Sequence, residues 1–342
     1  MKIKKQEILN PRKLYLSRLL SRISGNYFPS KNVNLPIERK NIRKILVLEH
    51  ECIGDVIMLE PALDALRKFF ESAELHLLCT PAVKDLAEKA DLADHVHAYP
   101  FETPYGQSFD MIFDFHGDIR RIRLMKKFRS CYRCGFRFSG GAAWLTHVTD
   151  YPYHQHQAER PFALLRELNI PAEPRSPRLK NFPQKKEYSR KVLLHPGANH
   201  TGRLWPEEHW KQLIALFQKE KYALAWISPP GQTAPEGIPV IKDSLTGIAR
   251  HISEADLLIG CDSMAVHLAA ALKTPALAIF GSQDPALTKP YGIYGHVIKA
   301  AGACMHKRRD WRLCSECMAS VRPPDVVKKA KGILAERRDE DR

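Results

Sequence analysis

The chain has 342 residues, of which 44% are hydrophobic and 27% charged, enough for a large core and for two domains. No apolar run approaches the roughly 20 residues needed to span a bilayer, and the opening residues lack the apolar core and small-residue cleavage site of a signal peptide. The expected location is therefore the cytoplasm, where the eight Cys are thiols or metal ligands rather than disulfides.

The net charge of +15 is unevenly spread. Residues 1–44 hold twelve Lys or Arg against two Glu, and the run Arg120–Arg137 holds eight basic residues and no acid. Basic surface of this kind suits anionic partners, the plainer alternative being solubility charge. No nucleic-acid-binding module is recognisable, so nucleic acid is not expected as a partner.

In chain order, residues 1–43 read as a basic N-terminal segment and linker. Asn10 can cap a helix and Pro11 suits its first position. Leu16, Leu19, Leu20 and Ile23 then fall on one stripe, with Arg12, Lys13, Arg18 and Arg22 on the other faces. Such a helix either lies on an anionic membrane surface or packs on the body of the protein.

Strand and helix signals then alternate. Strands are expected at 44–50, 74–79 and 109–115, with helices at 56–70 and 82–90. After a Pro-rich stretch at 171–187 the pattern restarts. Strands are expected at 191–196, 222–227, 255–260 and 275–281, with helices at 206–220, 244–252, 264–272 and 323–338. Alternation of this kind predicts parallel sheets covered by helices. The expected division is an N-terminal domain at 44–175, a second domain at 188–322 and a C-terminal helix and tail at 323–342. Two such domains facing each other would bind ligands across a cleft, at the carboxyl ends of their strands.

No G-x-G-x-x-G follows the first strand and no G-x-x-x-x-G-K-[ST] occurs, which argues against a nicotinamide enzyme and a P-loop NTPase. The first strand instead runs into "ECIGDVIMLEPAL", where Gly54 permits a tight turn and Asp55 opens a helix. Asp55 is either a helix-start carboxylate or a base facing the ligand side of the sheet. The second domain opens with "LLHPGANHTGRLWPEEHW". There Gly197 and Ala198 allow close backbone approach, Asn199 and Thr201 are polar, and Arg203 can counter a phosphate. A third stretch, "LLIGCDSMAVHLAAAL", places Asp262, Ser263, Met264 and Ala265 where a strand feeds a helix, a position whose free N–H groups favour phosphate. His267, on that helix, reads as an orienting group or as a core histidine.

These three stretches together resemble glycosyltransferase family 9, which contains the lipopolysaccharide heptosyltransferases. The matching residues are Ile53–Asp55 with Pro61–Leu63, His195–Ala198 with Arg203–Pro206 and Glu208–Trp210, and Gly260, Asp262, Ser263, His267 and Ala269–Leu272 with Pro275 and Phe280–Pro285. Residues 134–141 and 156–170 echo the family more faintly. The resemblance implies an α/β fold of two Rossmann-like domains facing across a cleft, the GT-B arrangement. It implies an inverting transferase that takes heptose from a nucleotide sugar, ADP-heptose, to a lipopolysaccharide core or similar glycolipid, with no obligatory cofactor or metal. The alternatives are another donor, a protein acceptor, or a degenerate binding protein.

By the same resemblance Asp55 is the general base. Arg203 neutralises the departing diphosphate, Asp262 binds sugar hydroxyls, and Ser263 with nearby N–H groups holds the diphosphate. Gly197, Ala198, Asn199, Thr201, Met264, Ala265 and His267 complete the donor side. Gly54, Arg120 and Arg123 are assigned to the anionic acceptor. Membrane contact, if made, would be peripheral, on the cytoplasmic face of the inner membrane. Two departures stand out: Met264 replaces a usual glycine, and the nucleoside-contacting stretch near Glu236 is short. Finally, Cys304, His306, Cys314 and Cys317 have the spacing of a tetrahedral zinc set. Reduced thiols are the reading adopted, with zinc as the alternative.

Overall fold

The structure is a computed structural model. It describes residues 15–16, 19–20, 22–23, 37–184, 187–229, 233–302 and 315–340. Most of the expected N-terminal helix and linker, and Cys304, His306 and Cys314, lie outside the described residues. The chain divides into two compact units, Met1–Arg175 and Ser176–Arg342.

The first unit contains β1 (Lys44–Glu49), α1 (Ile53–Phe69), β2 (Glu74–Cys79), α2 (Pro81–Lys89), β3 (His95–Ala98), β4 (Ser108–Asp114), α3 (Ile119–Met125), β5 (Arg129–Arg137), β6 (His147–Asp150) and α4 (Arg160–Glu167). Its six strands are all parallel, in the order β3-β2-β1-β4-β5-β6. This is the doubly wound order whose chain direction reverses between the first and fourth strands. The central strands are almost continuous apolar runs, such as the KILVLE of β1, because helices cover both faces of a parallel sheet.

The second unit repeats the plan. It contains β7 (Lys191–His195), α5 (Glu207–Lys219), β8 (Ala223–Ile227), β9 (Val240–Ile241), α6 (Leu245–Ser253), β10 (Leu257–Cys261), α7 (Met264–Ala271), β11 (Ala276–Phe280), α8 (Pro285–Thr288), β12 (Gly295–Lys299), α9 (Glu316–Ala319) and α10 (Pro323–Glu340). The sheet order β9-β8-β7-β10-β11-β12 is the same as in the first unit. Helix α10 is part of this unit's core: Val326, Ala330, Ile333 and Leu334 are buried in one cluster with Trp210, Leu213 and Phe217 of α5. Trp205, at the edge of that cluster, donates its indole N–H to Val321 O at 2.9 Å.

Both sheets have the Rossmann-like form expected from the alternation. Sequence reading passed over β3, β6, β9 and β12, which are short or only partly buried and carry little apolar signal. It also passed over the short helices α3, α4, α8 and α9. Helix α1 begins three residues earlier than expected, so Asp55 lies inside its first turn.

Candidate functional site

In the first unit the candidate residues collect at the carboxyl ends of β1 and β4, the strands that flank the reversal in sheet order. Cys52 is the extended N-cap of α1, and Asp55 follows as its third residue. The Asp55 carboxylate does not stand alone. Its Oδ2 lies 3.3 Å from His116 Nε2, and its Oδ1 accepts a short hydrogen bond from the Gln157 amide. His116 comes from the turn after β4. That turn is fixed by Asp114, whose carboxylate accepts from the backbone N–H groups of His116 and Gly117 at 3.3 and 2.7 Å. Gly117 has φ +73°, and a Cβ there would stand 2.7 Å from Phe136 O, so glycine is required at this position.

Beneath Asp55 lies a fully buried ion network. Arg121, with no exposed surface, donates to Asp114 Oδ1 at 2.7 Å and to both carboxylate oxygens of Glu49 at 3.0 and 3.1 Å. It also donates to Leu48 O. This corrects the view of Arg120–Arg137 as a basic surface: Arg121 points inward because Glu49 and Asp114 end two adjacent strands and need a cation. Arg120 and Arg123 are exposed. Arg120 pairs with Asp118 at 2.9 Å and with Glu51 at 3.2 Å.

The network sets the electrostatics. Burial pushes Glu49 up, against the pull of Arg121. Burial opposes charge on His116, but the hydrogen bond to Asp55 and the charges of Glu49 and Asp55 outweigh it, despite Arg121, and raise its pKa to about 9. His116 is thus a cation at neutral pH, with its charge beside the Asp55 carboxylate. Donor atoms of Glu49, Asp55 and His116 lie within 4.8 Å of one another, close enough to hold a metal ion, but both Glu49 oxygens are already bonded to Arg121.

A small concavity opens over Asp55, His116, Tyr151, Gln157 and Arg160. Arg160 is buried, donates to the Tyr151 hydroxyl at 2.6 Å, and opens α4. Gln157 and Arg160 come from the stretch HQAERPF, which sequence reading noted without assigning either residue a role. Glu49, His116 and Arg121 carried no motif signal.

In the second unit the matching position is the carboxyl ends of β7 and β10. Strand β7 ends at His195, buried and pushed by that burial down to about 4. Gly197 follows in the turn, where a Cβ would stand 2.7 Å from the Pro229 ring and 3.0 Å from His195 Cε1. Ala198 is half-buried and Asn199 is exposed. Thr201–Arg203 form one 3₁₀ turn that brings Arg203 toward β10. Gly260 lets β10 run close to β7, since a Cβ there would meet His195 O at 3.1 Å.

Arg203 Nε lies 3.4 Å from Asp262 Oδ2, and Arg203 also donates to Asp262 O at 3.4 Å and to Gln283 Oε1 at 3.5 Å. These contacts are long. Asp262 and Gln283 are each 2% exposed, yet Asp262 Oδ2 and Gln283 Nε2 have no hydrogen-bond partner among the described residues. Burial raises Asp262 to about 6, against the pull of Arg203. Ser263 is the N-cap of α7 but makes no capping hydrogen bond with its side chain; its hydroxyl lies 3.3 Å from His195 Nδ1. Helix α7 therefore begins without a side-chain cap, with Met264 half-buried as its first residue and Ala265 and His267 buried behind it. Gln283 lies within the matched stretch Phe280–Pro285, where no role was assigned to it. Of the four residues with zinc spacing only Cys317, a half-buried thiol, is described.

The model of glycosyltransferase family 9 (heptosyltransferase) matches residues 105–316. The chain belongs to glycosyltransferase family 9. Asp55 precedes the matched stretch, while the Arg203–Asp262 set lies inside it. Lipopolysaccharide heptosyltransferase 1 of Escherichia coli is 33% identical over 121 residues, which are 32% of this chain and 37% of that protein. The match thus spans only about a third of that relative. The protein of the same name from Campylobacter coli is 18% identical over 86% of this chain and 99% of its own. In fold, a heptosyltransferase of E. coli solved with ADP superposes with a TM-score of 0.69 at 18% identity, covering 85% of this chain and 99% of that one.

Proposed function

We propose that this chain is an inverting glycosyltransferase that moves heptose from ADP-heptose to a lipopolysaccharide core or a similar cell-envelope glycolipid. The observation that carries the reading is Asp55, a carboxylate at the end of β1 held by His116 and Gln157 in an open concavity. Family membership and the ADP bound in the E. coli relative support the donor class.

In this mechanism the acceptor hydroxyl gives its proton to Asp55 as its oxygen attacks the anomeric carbon. The bond from that carbon to the diphosphate breaks on the opposite side, and ADP leaves. A single displacement needs one base and stabilisation of the leaving group. Arg203 supplies a cation for the diphosphate, and the N–H groups at the start of α7 supply donors, with Ser263, Met264 and Ala265 lining that end. Asp262 accepts from sugar hydroxyls, Gly197, Ala198, Asn199 and Thr201 shape the turn beside them, and His267 supports α7 from behind. Gly54, Arg120 and Arg123 serve the anionic acceptor.

One experiment tests both halves. Wild type and Asp55→Asn are titrated with ADP, UDP and GDP in thermal-shift assays, and turnover is measured with ADP-heptose. Ligand that binds only the folded state raises its melting temperature. A shift selective for ADP is expected in both proteins, with turnover of Asp55→Asn lower by about 10²–10⁴-fold. Equal response to all three nucleotides would defeat the donor assignment. Turnover retained by Asp55→Asn would defeat the base assignment.

The reading extends to the membrane surface. Leu16, Leu19, Leu20 and Ile23 are helical and 54%, 41%, 55% and 75% exposed, in a segment of strong positive charge. Such a segment suits anionic lipid, where the acceptor resides. Deleting residues 1–24 is expected to weaken sedimentation with anionic vesicles, and unchanged sedimentation would remove this part of the proposal.

A further inference from the structure

The outer edge of the first sheet carries a group of histidines that the transferase chemistry does not use. Glu74 and His76 are two apart on β2 and so share a face. Strand β3 is the edge strand, and its register sets His95 opposite His76. His97, two further on, lies on the same face. Donor atoms of Glu74, His76 and His95 all lie within 4.8 Å of one another.

We infer that Glu74, His76 and His95 bind a divalent transition metal ion of the zinc, cobalt or nickel class. His76 is 3% exposed, and its Nε2 is buried without a hydrogen-bond partner among the described residues, 3.6 Å from Glu74 Oε2. In a tetrahedral zinc site with bonds of about 2.0–2.2 Å, ligand atoms stand about 3.3–3.6 Å apart. The Glu74–His76 spacing is already close to that, and His95, exposed at the edge, has room to complete it. Two imidazoles and one carboxylate suit this class of ion and leave a position for water.

The remaining neighbours fit the assignment. His76 Nδ1 lies 3.0 Å from His97 Nε2. With the proton on Nδ1 and donated to His97, the Nε2 lone pair of His76 faces the site, and a partner of this kind orients a ligating histidine. Phe109 closes the inner side, edge-on to His76 at 5.1 Å between ring centroids. Among the described residues a competitor is Lys44, whose ammonium stands 3.3 Å from Glu74 Oε2 with its side chain 44% exposed. An exposed pair of this sort holds weakly, and Lys44 can swing into solvent. Glu74 begins β2, whereas Asp55 follows the end of the parallel strand β1. The metal would therefore lie at the opposite end of the sheet from Asp55, fastening β3 to β2 rather than taking part in transfer.

The test is titration of the metal-free full-length chain with Co²⁺, read by visible absorption and by calorimetry. One equivalent bound with a nitrogen-and-oxygen ligand spectrum is expected. His95→Ala should weaken binding at least tenfold, and His97→Gln by about 10–100-fold through loss of the orienting bond. His95 is exposed, so the metal-free variant should melt like wild type; if it does not, Glu74→Gln is used in its place. Cys314→Ser/Cys317→Ser should leave this binding intact. Equal affinity in wild type and His95→Ala, or binding abolished by the cysteine substitutions, would overturn the assignment.

Discussion

The two units have the same strand order, and each gathers charge at the same point of its sheet, but they treat that charge differently. In the first unit, Arg121 is bonded to Glu49, Asp114 and a main-chain carbonyl, at 2.7–3.1 Å for the carboxylate bonds. In the second, the contacts of Arg203 with Asp262 and Gln283 are 3.4–3.5 Å long, and buried polar atoms remain unpaired. A buried charge without full hydrogen bonding costs stability. The first cluster is complete as it stands and serves to hold Asp114, and through it the His116 turn, against Asp55. The second is incomplete in a manner that suits a ligand with hydroxyls and phosphates. The difference separates rigid support for a base from a site whose bonding waits for its donor.

The largest effect expected from this contrast is at Arg121. Arg121→Met leaves Glu49 and Asp114 buried without a counter-charge, and breaking such a pair typically costs about 3–5 kcal/mol. Urea unfolding should show that loss in the first unit, with ADP binding to surviving folded protein unchanged. A loss below about 1 kcal/mol would mean the network is not the support described here.

A smaller effect of opposite sign is expected at Asp262. Burial raises its pKa from 3.8 to about 6, so the folded state binds this proton more tightly than the unfolded chain. The carboxylate therefore costs stability above pH 6, and the cost fades as pH falls through 6 toward 4. Asp262→Asn should stabilise the donor-free protein at pH 8 by about 1–2 kcal/mol, allowing for the partner Arg203 loses, and by much less at pH 4.5. The same variant should bind ADP-heptose more weakly. Chemical denaturation at the two pH values checks the sign, and destabilisation at pH 8 would show that the Arg203 pair, not burial, dominates.

What the sequence made legible follows from where its signals are strong. Buried parallel strands are continuous apolar runs, so β1, β7, β10 and β11 stand out. The edge strands β3, β6 and β9 are half-polar, carry no such run, and become strands only by pairing with a neighbour. At the site, Asp55, Arg203 and Asp262 were legible because they follow strands in motifs with glycine nearby. Arg121 was not, because in a run of eight basic residues nothing local distinguishes the one that turns inward. Its partners, Glu49 and Asp114, lie 72 and 7 residues away and meet it only through strand pairing. Gln157 and Gln283 stood in stretches noted in the sequence, but their roles were hidden for the same reason: each reaches the site from an element whose placement is tertiary. His76 and His95 face each other only because β2 and β3 pair in that register.

The Arg121 network also constrains how this sequence can change over generations. Its four bonding groups come from β1, β4 and α3, so no single replacement leaves the set balanced. A lineage that loses Arg121 strands two acids, while one that loses Glu49 or Asp114 leaves the guanidinium short of acceptors. Exchange for apolar residues is tolerable only as a concerted change at all three positions. Drift by one step at a time is therefore blocked at a point with no direct part in the chemistry, and Glu49, Asp114 and Arg121 should be inherited or lost as a block.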